Sequence, residues 1–104
     1  MKTMNTVERF KQITEEMQEL CKRKNSDYGS SVNDTYKKYG MVSYLVRLED
    51  KINRARNIVL KGNQQVSDER VRDTLMDMAN YCILAIIDME NENARNITEI
   101  SKWK

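Results

Sequence analysis

Apolar residues recur in steps of three and four along most of this chain, and no proline interrupts them. This spacing gathers apolar side chains on one side of an α-helix, so it predicts an all-α fold. The first such segment follows Asn5-Thr6-Val7-Glu8, which has the spacing of a capping box, and runs to about Lys24. Its buried stripe is expected to contain Val7, Phe10, Ile13, Met17, Leu20 and Cys21.

Three further helical segments are expected. A short turn around Asn33 to Tyr39 ends at Gly40, and a second long helix covers about Val42 to Lys61, before Gly62. Its apolar residues have the spacing of a seam between antiparallel helices: Leu45, Leu48, Ile52, Ala55 and Val59. A third long helix starts after Ser67 as its N-cap and continues through Met89 toward Ile100. We therefore expect one domain over residues 1–104, a small bundle of about three long helices plus a short helical turn.

The third long helix predicts self-association. On a helical wheel, one face contains Val71, Leu75, Met78, Cys82, Ile86 and Met89, and the opposite side contains Asp73, Asp77, Asn80 and Leu84. The stretch from Cys82 to Ile87 is apolar on all sides, which indicates burial on both sides. A chain of 104 residues offers too few helices for such burial. We therefore expect a homo-oligomer, in which the aspartate stripe faces a partly enclosed groove.

Composition excludes several classes of partner. The net charge is +2, with 18 basic and 16 acidic residues interspersed, which does not favour binding to duplex nucleic acid. The longest apolar run, Cys82 to Ile87, is far shorter than the roughly 20 residues that span a bilayer, and the polar N-terminus does not resemble a signal peptide. Two cysteines without CxxC spacing are typical of buried thiols in a reducing compartment. These features predict a cytoplasmic protein that does not enter membranes.

The chain has no histidine, which excludes zinc sites and histidine-dependent triads as they are usually built. Hydrolysis would need carboxylates and a hard cation such as Mg²⁺. Asp73 and Asp77 lie one helical turn apart and could hold such an ion, or they could be solvated helix surface. Arg47, Lys51 and Arg54 share one stripe and could bind phosphates, or they could form ordinary surface ion pairs.

Three polar strings suggest a family. They are Lys24-Asn25-Ser26-Asp27-Tyr28-Gly29, Arg47-Leu48-x-x-Lys51-x-x-Arg54, and Asp73 through Tyr81. Their order and spacing, from about Phe10 to Met89, resemble the small phage and bacterial family called nucleotide modification associated domain type 1. That family is generally grouped with the all-α, MazG-like nucleoside triphosphate pyrophosphatases. The resemblance implies a nucleotide ligand, whose candidate contacts are Lys24, Asn25, Asp27, Tyr28, Arg47, Lys51, Arg54, Asn80 and Tyr81.

Most of these contacts also have a structural explanation. Lys24 could belong to a solvated helix end, Asn25 could end the helix, and Asp27 could fix the turn. One of Asn80 and Tyr81 could pack, while the other satisfies a neighbouring backbone group.

The pyrophosphatases, as a class, hold magnesium with an ExxE pair on one helix and an ExxD pair on another. Here Glu16-Met17-Gln18-Glu19 has the first spacing, but Glu19 points almost directly away from the apolar stripe that Glu16 flanks. The second motif appears as Asp73-x-x-x-Asp77, which is one residue longer and has shorter side chains. The candidate ligands of Mg²⁺ are therefore Glu16, Asp73 and Asp77.

Three functions follow as alternatives. The first is magnesium-dependent hydrolysis of a nucleoside triphosphate, with the three carboxylates on the metal and the basic stripe on the phosphates. The second is sequestration of a nucleotide or cyclic-nucleotide signal, as small phage proteins that oppose bacterial defence do. The third is a helical interaction module without a ligand.

Overall fold

The computed structural model describes residues 5–24, 31–61 and 64–102, without the side chains of 64–68 and 94–102. These ranges contain no strand and form four α-helices, which confirms the all-α prediction. The helices are α1 (Thr6–Arg23), α2 (Asn33–Tyr39), α3 (Val42–Lys61) and α4 (Gln64–Lys102). None of the described helices is both long enough and apolar enough to cross a membrane.

The residues group into two compact units, Met1–Asp34 and Thr35–Lys104, and each is described by itself. The prediction of one domain over residues 1–104 stays a prediction. In the first unit, α1 begins and ends where its sequence predicts. The Asn5 Oδ1 atom accepts a hydrogen bond of 2.8 Å from the Glu8 amide, and the Lys24 amide donates to the Leu20 carbonyl.

The predicted apolar stripe of α1 is only partly buried. Met17 is 7% exposed, whereas Val7 and Phe10 are 79% and 67% exposed. The prediction of a buried stripe is therefore wrong for the first two turns, because helical spacing shows which residues share a face but not how far along the helix that face is covered.

A glycine separates α2 from α3. Gly40 has φ of +73°, a conformation that residues with a Cβ rarely adopt, and its amide donates to the Tyr36 carbonyl at 2.7 Å. This left-handed residue ends α2 in the manner of a C-terminal glycine cap. The Ser43 hydroxyl then donates to the Gly40 carbonyl at 2.8 Å, so the chain turns directly into α3. Both boundaries agree with the sequence prediction.

The start of α4 differs from its prediction. The helix begins at Gln64, so Ser67 lies inside it and is not its N-cap. Glutamine has a high helix propensity, which allows the two glutamines that precede Val66 to continue the helix upstream. Gly62, the predicted stop of the preceding helix, lies outside the described residues, although α3 does end at Lys61.

Helices α3 and α4 pack against each other as an antiparallel pair. Tyr44 near the start of α3 bonds to Asp88, and Lys51 further along bonds to Asp77, so residue numbers rise on one helix as they fall on the other. The predicted seam is partly wrong, because Leu45, Ile52 and Val59 are 57%, 44% and 63% exposed.

The line of contact on α3 lies one residue earlier than the predicted seam. It contains Tyr44, Lys51 and Ile58, of which Tyr44 and Ile58 are buried. One residue is a rotation of about 100°. The rotation places the polar groups that bond across the pair between the helices, and it leaves apolar residues at one side.

The α3–α4 pair consequently has two different edges. We call the polar edge the stripe of Arg47, Lys51 and Arg54 on α3 together with Asp73, Asp77 and Asn80 on α4. We call the apolar edge the opposite stripe of Leu45, Ile52 and Val59 on α3 together with Leu75, Cys82, Ile86 and Met89 on α4. Because Lys51 bonds to Asp77, the basic stripe of α3 and the aspartate stripe of α4 lie on the same side of the helix pair.

Candidate functional site

A pair of tyrosine–carboxylate bonds lies beside the polar edge, at the end of the pair near α2. Tyr44 is 1% exposed, and its hydroxyl donates to Asp88 Oδ2 at 2.5 Å. The hydroxyl of Tyr36 donates to Glu92, and the two tyrosine rings lie 5.7 Å apart. Burial, and then the bond to Asp88, hold the pKa of Tyr44 well above its usual value. This hydroxyl therefore stays protonated and fixes one end of the site.

The sequence reasoning missed this network. Asp88 directly follows the apolar stretch Cys82 to Ile87, and a carboxylate in a buried stretch requires a partner. That signal pointed to a buried acid, but it gave no means of choosing its partner among five tyrosines.

Two of the predicted phosphate-binding cations in the polar edge, Arg47 and Lys51, contact neighbouring side chains. The Lys51 Nζ atom lies 3.4 Å from Asp77 Oδ2, and both side chains are about one-quarter exposed. The Arg47 Nη2 atom donates to the Thr35 hydroxyl at 3.4 Å, and its guanidinium carbon lies 6.0 Å from the centre of the Tyr81 ring. Three of the predicted nucleotide contacts, Arg47, Lys51 and Tyr81, thus lie together with the predicted metal ligand Asp77.

Asn80 belongs to the same stripe of α4, and its side chain is buried in an unusual way. It lies one turn beyond Asp77, and it is 4% exposed. Its Nδ2 atom is buried and has no hydrogen-bond partner among the described residues. A buried amide nitrogen that makes no bond costs roughly 1–3 kcal/mol, so native proteins rarely leave one in that state.

Arg54 extends the basic stripe into a shallow cleft of about 490 Å³. The described lining of this cleft also includes the basic residues Lys61 and Arg70 and one acidic residue, Asp50. Arg54 is exposed, so it is available to solvent anions and to ligands alike.

The remaining predicted contacts belong to the first unit. Lys24 is exposed and forms the C-cap of α1. Asn25, Asp27 and Tyr28 lie outside the described residues.

The magnesium prediction finds no complete ligand set. Asp73 is exposed, Asp77 contacts Lys51, and Glu16 is an exposed residue of the first unit. Within residues 5–24, 31–61 and 64–102, wherever side chains are described, no three acidic or thiol side chains form a group that could hold a metal ion. The described carboxylates therefore do not fit a magnesium centre of this chain alone, and the metal ligands stay a prediction.

Comparison with protein families gives one match. Residues 24–89, well over half of the chain, match the model of nucleotide modification associated domain 1. The chain belongs to this family. The match begins at Lys24, later than the Phe10 expected from the sequence, and it includes all of α3 and the residues of both edges. No curated protein and no solved structure matches the chain significantly. The relation to the all-α nucleoside triphosphate pyrophosphatases stays a prediction.

Proposed function

We propose that this protein binds a nucleotide, with the phosphates held by the cations of the polar edge. The observation that carries the proposal is the buried amide nitrogen of Asn80, a residue of that edge, which has no hydrogen-bond partner among the described residues. The description of the family, which refers to nucleotide modification, supports a nucleotide as the ligand without naming one.

The donor in Asn80 defines what the ligand must supply. An amide N–H requires an acceptor, such as a phosphate oxygen or a base carbonyl. Arg47 and Lys51 offer positive charge on the facing helix, and an arginine can bind two phosphate oxygens at once. Their present contacts are weak, because both distances are 3.4 Å. A phosphate replaces such contacts at little cost.

Binding without turnover is the form of this function that the described residues support better. Hydrolysis by a metal-activated water needs several carboxylates on one ion, and no such group is found where side chains are described. Sequestration of a nucleotide-derived signal, the role expected of a phage anti-defence protein, needs only the cations and the amide. Magnesium-dependent hydrolysis of a nucleoside triphosphate, with release of pyrophosphate, is the second candidate, favoured by Asp73 and Asp77 one turn apart.

We also propose that two copies of the chain associate through the apolar edge. From Leu45 to Val59 this edge is about 21 Å long and two helices wide, roughly 400 Å², and apolar patches of this size on monomers are often functional. Its residues repeat every seven positions on both helices, at 45, 52 and 59 and at 75, 82 and 89. A seven-residue apolar repeat on two helices complements an identical pair, as in a four-helix bundle.

Calorimetric titration with ribonucleoside and deoxyribonucleoside triphosphates and cyclic dinucleotides tests the binding proposal. We expect Arg47→Ala to weaken binding at least tenfold, since charge-assisted bonds in a partly enclosed site are strong. Arg56→Ala is the matched control, because it removes the same charge from an exposed position of α3 whose guanidinium contacts Asn53. Equal losses in both variants would mean that net charge alone attracts the ligand, and no binding to the unmodified protein would refute the proposal.

Chromatography of the denatured mixtures separates the two candidates. Sequestration predicts that the ligand is recovered unchanged with and without Mg²⁺. Hydrolysis predicts a monophosphate and pyrophosphate, only with Mg²⁺, and loss of product in Asp77→Asn, which keeps the shape of the side chain but removes its charge.

A further inference from the structure

We propose that the cleft between α2 and α3 holds the base of the nucleotide whose phosphates bind at the polar edge. This cleft has a volume of about 440 Å³, within the range of small-molecule sites, and it lies next to the polar edge. Its lining consists of Thr35, Tyr39, Val42, Ser43, Val46 and Arg47. The inference rests on the proposed function, and its test separates the two.

The walls of the cleft suit a flat aromatic ring. Tyr39, Val42 and Val46 are 63%, 61% and 51% exposed, so their apolar surfaces are open to solvent. Every base has an apolar face that stacks on tyrosine or packs on aliphatic carbon. A base placed here covers surface that the described chain leaves in water.

Charge at the rim selects an anionic ligand for the cleft. Arg47 lines the cleft and also belongs to the polar edge. Lys38 is not part of the lining, but its Nζ atom lies 5.4 Å from the centre of the Tyr39 ring, which does line the cleft. The described lining contains no carboxylate. An apolar floor with cations at its rim complements a nucleotide, in which an aromatic ring is joined to phosphates.

A second copy of the chain is a poorer occupant. The apolar edge lies on another side of α3, since Val46 is about 100° around the helix from Leu45. Two copies joined through that edge therefore leave the cleft open to a ligand.

The described polar groups of the cleft offer little means of reading one base. The Ser43 hydroxyl donates to the Gly40 carbonyl, and the Thr35 hydroxyl accepts from Arg47. Specific recognition of a base needs hydrogen bonds to its edge, whereas stacking is tolerant. The site should therefore bind purine and pyrimidine nucleotides with affinities within about tenfold of each other.

The test compares nucleoside triphosphates with inorganic tripolyphosphate, which carries the charge but has no ring. Calorimetric titrations use the unmodified protein, Tyr39→Ala, which removes the stacking surface, and Val46→Phe, which fills the cleft. Leu60→Phe is the matched control, because it enlarges an exposed apolar residue of the same helix outside the cleft. Circular dichroism establishes that each variant is folded.

We expect the unmodified protein to bind nucleoside triphosphates at least tenfold more tightly than tripolyphosphate. Tyr39→Ala and Val46→Phe should lose about tenfold in affinity for the nucleotides and keep their affinity for tripolyphosphate, whereas Leu60→Phe should keep its affinity for both. Nucleotide affinity that is unchanged in both cleft variants, or tripolyphosphate that binds as well as nucleotides, would overturn this inference and leave the proposed function standing. If the unmodified protein binds none of these ligands, both proposals fail.

Discussion

The two edges of the α3–α4 pair use neighbouring positions of the same helices for opposite purposes. At the polar edge, Lys51 and Asp77 are about one-quarter exposed and pair with each other, whereas at the apolar edge Ile52 and Leu75 are 44% and 54% exposed. Charged groups that could be left in water are thus partly covered, and apolar groups that could be covered are left in water. A chain that stabilised only its own fold would reverse this arrangement, and this difference is the reason for proposing an external partner for each edge.

The largest expected effect breaks the apolar edge. Ile52→Glu should dissociate the proposed dimer, because a charge buried in an apolar interface without a partner costs at least ~3 kcal/mol. Asn53→Glu changes the next residue, which is exposed on another side of α3, and should leave assembly unchanged. Light scattering at micromolar concentration reads out the result. If the unmodified protein is already a monomer, the proposal that two copies associate through the apolar edge is wrong.

A smaller effect concerns the tyrosine–carboxylate bonds beside the polar edge. Tyr44→Phe should lower the free energy of unfolding by about 2 kcal/mol, because it removes a hydrogen bond to the buried carboxylate of Asp88. Denaturation by urea measures the change. A difference below about 0.5 kcal/mol, the size expected of a surface substitution, would show that this bond contributes little to the stability of the fold.

The same tyrosine predicts a dependence of stability on pH. Its pKa is raised in the folded chain, so it stays protonated where an unfolded tyrosine, with a pKa of about 10, ionises. The contribution of Tyr44 is complete below pH 10 and is lost as the pH rises above that value. Unfolding measured between pH 8 and pH 11, about one unit or more on each side of that pKa, should therefore show a steeper loss in the unmodified protein than in Tyr44→Phe.

The smallest effect is expected for the ion pair of the polar edge. Lys51→Met should change the free energy of unfolding by less than ~0.5 kcal/mol, since partly exposed pairs stabilise little. The same variant should weaken nucleotide binding severalfold. If it destabilises the protein strongly and leaves binding unchanged, the pair serves the fold and not a ligand.

Much of the fold could be predicted from spacing and caps. The capping box at Asn5, the glycine at position 40 and the bounds of α3 all lie where the sequence placed them, because backbone caps depend on a few adjacent residues. The start of α4 was placed four residues late, since Ser67 offered a cap that the helix does not use.

The rotation of α3 could not be predicted in the same way. Leu45, Ile52 and Val59 form a better apolar seam than Tyr44, Lys51 and Ile58, and hydrophobic spacing favours the better seam. The bond between Tyr44 and Asp88 joins residues that are distant in sequence, and nothing local in either segment identifies the other. The cations of the polar edge were found because three basic residues on one stripe are visible in the sequence, whereas the unpaired state of Asn80 depends on packing.

The most direct test of the binding proposal is to replace Asn80 by leucine and to measure both stability and nucleotide affinity. If the amide nitrogen of Asn80 forms a hydrogen bond only when a ligand is present, leucine removes a buried donor that lacks a partner in the ligand-free protein. The free energy of unfolding of the ligand-free variant should therefore be unchanged or higher. Nucleotide affinity should fall at least tenfold. Asn80→Ala, which avoids any overpacking by leucine, should lose affinity in the same way. A stability loss of about 2 kcal/mol or more in both variants, with nucleotide affinity unchanged, would show that Asn80 serves the fold, and it would contradict the proposed site.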